Sequence, residues 1–80
     1  MTLTEKYADR HPGTVHALRT LEPNPRLPAG APADLSGACA ALADAAVAIL
    51  TDGPELTAGL RKLREAKDCL VLQAVLDSEA

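Results

Sequence analysis

The pentapeptide Thr51-Asp52-Gly53-Pro54-Glu55 lies between two long stretches of helical periodicity. A glycine after a periodic run suits a left-handed helix C-cap or turn. A proline followed by an acid suits the first turn of a new helix. One helix is therefore expected to stop near Thr51 and another to begin at Pro54. Upstream, Leu35, Ala38, Cys39, Leu42, Ala45, Ala46, Ile49 and Leu50 recur at three- and four-residue spacing, the pattern of an amphipathic helix over 32–51. Pro32 and the acidic Asp34 fit its opening turn. Downstream, Leu56, Leu60, Leu63, Lys67, Leu70 and Ala74 form the main stripe of a helix over 54–77. Two such helices joined by so short a turn are expected to lie antiparallel as an αα-hairpin.

In that arrangement, residues whose numbers sum to about 107 stand at equal height, counted from a turn at Gly53 and Pro54. Cys39 and Cys69 come close to this. They are either bridged across the hairpin or two small buried apolar residues, and free cysteine is among the most buried residue types. The second helix also carries Leu70, Val71, Leu72, Ala74, Val75 and Leu76 around most of its circumference. One partner helix cannot cover such a surface, so the N-terminal segment or a second copy of the chain is expected against it.

Before the hairpin, residues 1–22 are mixed and polar, broken by His11-Pro12-Gly13-Thr14. Thr14 is placed to cap a short helix over Val15, His16, Ala17, Leu18 and Leu21. Pro23, Pro25 and Pro28 then punctuate a linker over 23–31, and their fixed φ keeps it out of helical conformation. The whole chain of 80 residues reads as one all-α domain.

A chain of this length buries only about 60% of its unfolded surface, so its core needs reinforcement. With two cysteines and no ligand cluster, a homo-oligomer is the expected source. The apolar content is Ala, Leu and Val with a single aromatic, Tyr7, which suits closely packed helices and not a β-sandwich. A formal net charge of −3 argues against duplex-DNA binding, although a few local cations can still meet a small anion. Met1 to Arg10 is too polar for a signal peptide, and no apolar run approaches a membrane span of roughly 18–20 residues. The expectation is a cytoplasmic protein in a reducing compartment.

Enzyme signatures are missing. His11 and His16 are spaced i, i+5 where helical metal pairs use i, i+4, and no acidic or thiol ligand stands beside them. Ser36 and Ser78 lack a nucleophile elbow, no phosphate loop is visible, and no metal or cofactor is expected. What remains is the cation cluster Arg61, Lys62, Arg64 and Lys67, interleaved with Glu65 and Asp68. Its plainest reading is a solvated face with Arg61–Glu65 and Arg64–Asp68 pairs. Lys67 is the exception. It stands on the leucine stripe, where it either snorkels or meets an anion at an interface. Tyr7, near Arg10 and His11, is either an ordinary surface aromatic or a platform for a nucleobase.

The run from Glu55 to Cys69, with its Leu60-Arg61-Lys62-Leu63-Arg64-Glu65-Ala66 centre, resembles the last-helix signature of phage anti-CBASS cyclic-nucleotide sponges. His11-Pro12 and the order of short N-terminal element, linker and long hairpin are similar to that family over about residues 7–76. The chain departs from it where many members carry Trp and Asn shortly after the Glu-Ala pair; Cys69 and Val71 stand here. The resemblance implies a homo-oligomer, often a hexamer, that holds cyclic dinucleotides or cyclic trinucleotides intact between protomers. It also implies that Tyr7 stacks on a base while Arg10, His11 and Thr14 line the pocket. Lys62 would contact phosphate, with Arg61 and Lys67 behind it. The competing readings are a helical assembly module without a small ligand and, in third place, an enzyme acting on such messengers through His11 or His16.

Overall fold

The computed structural model describes residues 1–79, and among them helix is the only regular secondary structure, with no strand. Four helices follow in order: α1 (Leu3–Lys6), α2 (Pro12–Arg19), α3 (Ala31–Ile49) and α4 (Pro54–Ser78). The N-terminal element is thus two helices where the sequence suggested one.

Helix α1 owes its single turn to a capping box. Thr2 Oγ1 accepts from Glu5 N at 3.2 Å, and Thr2 N donates to Glu5 Oε1 at 3.0 Å. The Glu22 carboxylate, far along the chain, accepts from Leu3 N at 2.7 Å and from the Thr4 backbone and hydroxyl. An anion at a helix start satisfies orphan N–H donors and complements the dipole. It also fastens the end of the N-terminal segment to its beginning.

Helix α2 starts earlier than Thr14. His11 is its N-cap, Pro12 its first residue, and His11 Nδ1 accepts from Gly13 N at 3.0 Å. Thr14 is instead buried within the helix, its hydroxyl committed to another element. At the far end the Lys67 ammonium donates to the Thr20 carbonyl at 2.5 Å, which completes the C-terminus of α2.

The linker over 23–31 is non-helical up to Gly30, as its prolines dictate. Asn24 Oδ1 accepts from Arg26 N at 3.0 Å, a side chain standing in for a backbone turn. Gly30, at φ 102°, is the only described residue with left-handed φ, a conformation that costs glycine little and other residues more. The left-handed position expected at Gly53 is absent. Gly53 is extended (φ 174°) and serves as the N-cap of α4, reached from the extended C-cap Leu50 through Thr51 and Asp52.

The core comprises Leu3, Tyr7, Leu18, Leu21, Ala40, Ala43, Val47, Leu56 and Leu60. The face α3 contributes differs from the expected stripe. Pro32, Ser36, Cys39, Ala40, Ala43 and Val47 point inward, while Leu42, Ile49 and Leu50 are 57%, 79% and 51% exposed. Helix α3 is apolar nearly all round, so periodicity does not single out one face. The small-residue face packs against α4 because Ala40 and Ala43 admit close approach, and Leu18, Leu21, Leu56 and Leu60 supply the volume. By length and composition α3 could also cross a membrane, with a mean hydropathy of 1.3. Asp34 and Asp44 interrupt it, and its inward face forms the core.

Helices α3 and α4 make the most extensive packing, with α2 resting on α4 and α1 on α2. The molecule measures 42 × 24 × 17 Å. Its long axis is close to the roughly 37 Å expected of a 25-residue helix such as α4. Beyond the core, α4 carries exposed Leu70, Leu72 and Leu76. Cys39 is buried, Cys69 is exposed, and both are free, so neither the bridge nor a buried Cys69 is realised.

Candidate functional site

The N-terminal segment meets the α3–α4 turn at Asp52. Asp52 Oδ1 accepts from Arg10 Nε at 3.1 Å and from the Thr14 hydroxyl at 2.8 Å; Oδ2 accepts from His11 N at 3.1 Å. The Arg10 guanidinium, then the Thr14 hydroxyl, then the His11 backbone hold the Asp52 carboxyl down at a pKa of about 2. The same guanidinium donates through its other nitrogens to the carbonyls of Val47 at 2.6 Å and Leu50 at 2.7 Å. These are orphan acceptors at the end of α3, and a cation there also complements the helix dipole. Arg10 is thereby spent on three internal partners.

One helical turn back, the Tyr7 hydroxyl donates to the Asp44 carbonyl at 3.1 Å and to its carboxylate, and the ring lies in the core. Lys6 Nζ reaches both Asp44 oxygens at 3.0 and 3.1 Å and sits 5.4 Å from the Tyr7 ring centroid. The Tyr7 and Lys6 hydrogen bonds lower the Asp44 pKa, and the Asp44 bond raises that of Tyr7.

Beside the Asp52 hub opens a cleft of about 620 Å³, floored by Gly53 and Pro54 and walled by His11, Thr14, Thr57 and Arg61. Two helix starts converge here, those of α2 and α4. Pro54 carries no N–H, and no side chain caps the start of α4, so its first-turn donors are left for solvent or a ligand. Thr57 turns its hydroxyl back to Gly53 O at 3.2 Å.

Of the residues singled out from sequence, the structure brings His11, Thr14 and Arg61 together around this cleft. Tyr7 and Arg10 lie behind it as parts of the frame, with Tyr7 only 9% exposed. Lys67 is at the other end of α2, bonded to Thr20. Lys62 is exposed and is not among the residues that line the cleft. Of the two expected helical ion pairs, Arg64–Asp68 forms, loosely, at 3.8 Å, and Arg61–Glu65 is not found among the described residues. Among those residues no three His, Cys, Asp or Glu side chains gather as a metal site.

Sequence reasoning missed Asp52 and Thr57. The signal for Asp52 was present, since Asp in a Thr-Asp-Gly-Pro turn is a natural acceptor for N–H groups. Its partners lie about forty positions upstream, beyond any local pattern. Comparison with family models, with curated proteins and with solved structures finds no match.

Proposed function

We propose that this chain is a homo-oligomeric helical protein of the bacterial cytoplasm that captures a cyclic oligonucleotide messenger intact. Held this way, a cyclic dinucleotide or cyclic trinucleotide never reaches its effector, and CBASS-type anti-phage signalling is blocked. The observation that carries the reading is the convergence of His11, Thr14 and Arg61 on one open cleft at the starts of α2 and α4. Phosphate oxygens fit such a place, because the uncapped first turn of α4 and the Arg61 guanidinium both favour anions, while the Thr14 and Thr57 hydroxyl protons are already given to Asp52 and to the Gly53 carbonyl. The net charge of −3 is no obstacle, since Arg10 already neutralises Asp52 beside the cleft. The Thr14 hydroxyl does meet a carboxylate, but Asp52, held at a pKa of about 2, is too weak a base to activate it, so binding without turnover is the chemistry proposed.

On this reading α3 and α4 form an antiparallel hairpin, and a second copy covers its outer surface. Tyr7 holds the frame in place of stacking, and the wall against which a base lies comes from the neighbouring copy. The full chain is titrated calorimetrically with a panel of cyclic di- and trinucleotides, then heated and the released ligand chromatographed. Tight binding with intact ligand recovered is expected. Linearised product, or no binding across the panel, overturns the proposal.

A specific observation favours a second reading, a helical assembly module with no small ligand. Leu42, Ala46, Leu50, Leu56, Gly59 and Leu63 line an apolar groove of about 320 Å³ between α3 and α4. An oligomer that forms without any cyclic-nucleotide affinity selects this reading.

A further inference from the structure

The cleft beside Asp52 does not end at Arg61. A second hollow of about 170 Å³ shares Gly13, Thr57 and Arg61 with it and continues along the α2–α4 seam to His16, Thr20 and Arg64. The seam follows helix geometry on both sides. Gly13, His16, Ala17 and Thr20 stand at i, i+3, i+4 and i+7 on α2, and Thr57, Arg61 and Arg64 at i, i+4 and i+7 on α4. At about 100° per residue, Arg64 lies about 20° around α4 from Thr57, whereas Lys62 lies about 140° away. Gly13, Ala17 and Thr20 are short, and this keeps the seam open opposite the two arginines.

Both arginines are available. Among the described residues Arg61 takes part in no ion pair, and Arg64 has only Asp68 at 3.8 Å with both side chains more than half exposed. Water screens so loose a pair, and it competes weakly with a phosphate. Behind Thr20, the Lys67 ammonium adds a further positive charge at this end.

We infer that the α2–α4 seam is a groove with two phosphate stations. One is Arg61 with His11, and the second is Arg64 with His16; the Thr14 and Thr20 hydroxyls only edge them, since their protons go to Asp52 and to the Ala17 carbonyl. Its ligand carries two phosphate groups, and the Arg64 station distinguishes a ligand with two phosphates from one with a single phosphate. This deepens the cyclic-oligonucleotide reading and rests on it for the identity of the ligand; the second station is testable by itself.

The test is calorimetric titration of the full chain, of Arg64→Gln and of Lys62→Gln with cyclic di-AMP, with 3′,5′-cyclic AMP and with inorganic pyrophosphate. Thermal melts verify that each variant is folded. Arg64→Gln is expected to weaken cyclic di-AMP and pyrophosphate about tenfold, the scale of one charge-assisted hydrogen bond, and to leave cyclic AMP unchanged. Lys62→Gln, the same charge change off the groove, is expected to leave all three unchanged. Equal losses in the two variants overturn the inference, because they report diffuse attraction and no station. Cyclic di-AMP binding indifferent to Arg64 also overturns it, while the sequestration reading survives. Pyrophosphate binding that depends on Arg64 without any cyclic-nucleotide affinity supports the groove and overturns the sequestration reading. Absence of binding by every probe overturns both.

Discussion

Arg10 and Asp52, forty-two residues apart in sequence, pair at 3.1 Å, and the same guanidinium spans to the last carbonyls of α3. One side chain thus joins the N-terminal segment to both the end of α3 and the turn that follows it. The cleft is walled by the residues that this junction brings together, so stability and site geometry are linked at Arg10.

Arg10→Ala is expected to lower unfolding free energy by about 2 kcal/mol from the two carbonyl bonds alone. Arg10→Lys is expected to recover less than half, since one ammonium cannot match a planar fork facing three acceptors. Urea denaturation of the two variants and the parent checks both statements.

Acid sensitivity should centre on Asp52. Its pKa falls from 3.8 unfolded to about 2 folded, so the unfolded chain binds more protons between those values. The stabilisation is complete above about pH 4 and is lost as pH falls through the folded value near 2; Asp44, also lowered, acts in the same direction. Melting temperatures measured from pH 6 to pH 2 should drop steeply below pH 4. Asp52→Asn should start lower at pH 6 and show a shallower acid limb. An acid limb equally steep in this variant would remove Asp52 from the account.

Tyr7 predicts the alkaline side. Its bond to Asp44 raises its pKa above 10.0, so the folded state favours the neutral phenol. That contribution is present below pH 10 and is lost as pH rises through the raised value. Tyr7→Phe keeps the ring in the core, removes the hydroxyl and is expected to flatten stability between pH 9 and pH 11. Ultraviolet titration of the single tyrosine gives the shift directly.

Exposed and buried leucines should separate cleanly. Leu18 is fully buried, and Leu18→Ala is expected to cost about 3 kcal/mol through lost contacts and a residual cavity. Leu42→Glu and Leu50→Glu fall on exposed positions, so the isolated chain should tolerate them while self-association weakens. Sedimentation of each variant over a concentration series reports the difference. An association constant unchanged in both glutamate variants would exclude this face as the contact between copies.

The elements were legible where punctuation is local. Pro54 marked the start of α4, and the prolines of the linker marked where helix is impossible, so the long helices lie within two residues of their expected ends. The inward face of α3 was not legible, because Leu42, Ile49 and Leu50 compete on hydropathy with Ala40, Ala43 and Val47. Only packing against α4 resolves that competition. His11, Thr14 and Arg61, singled out from sequence, line one cleft. Tyr7, Arg10 and Lys67 carry the same chemistry in sequence but find internal acceptors at Asp44, Asp52 and Thr20. Such partners, nearly forty or more positions away, leave no periodic trace.

The ties from Arg10, His11 and Thr14 to Asp52 also impose an order of events. The α3–α4 contact closes over a four-residue connection, whereas each of these ties closes a loop of roughly forty residues at a greater entropic cost. On the ribosome the N-terminal segment emerges first, yet its anchor is synthesised some forty residues later. The first twenty-two residues can close their own Glu22 tie to α1 early, but the cleft they wall cannot form until the turn that carries Asp52 has been made.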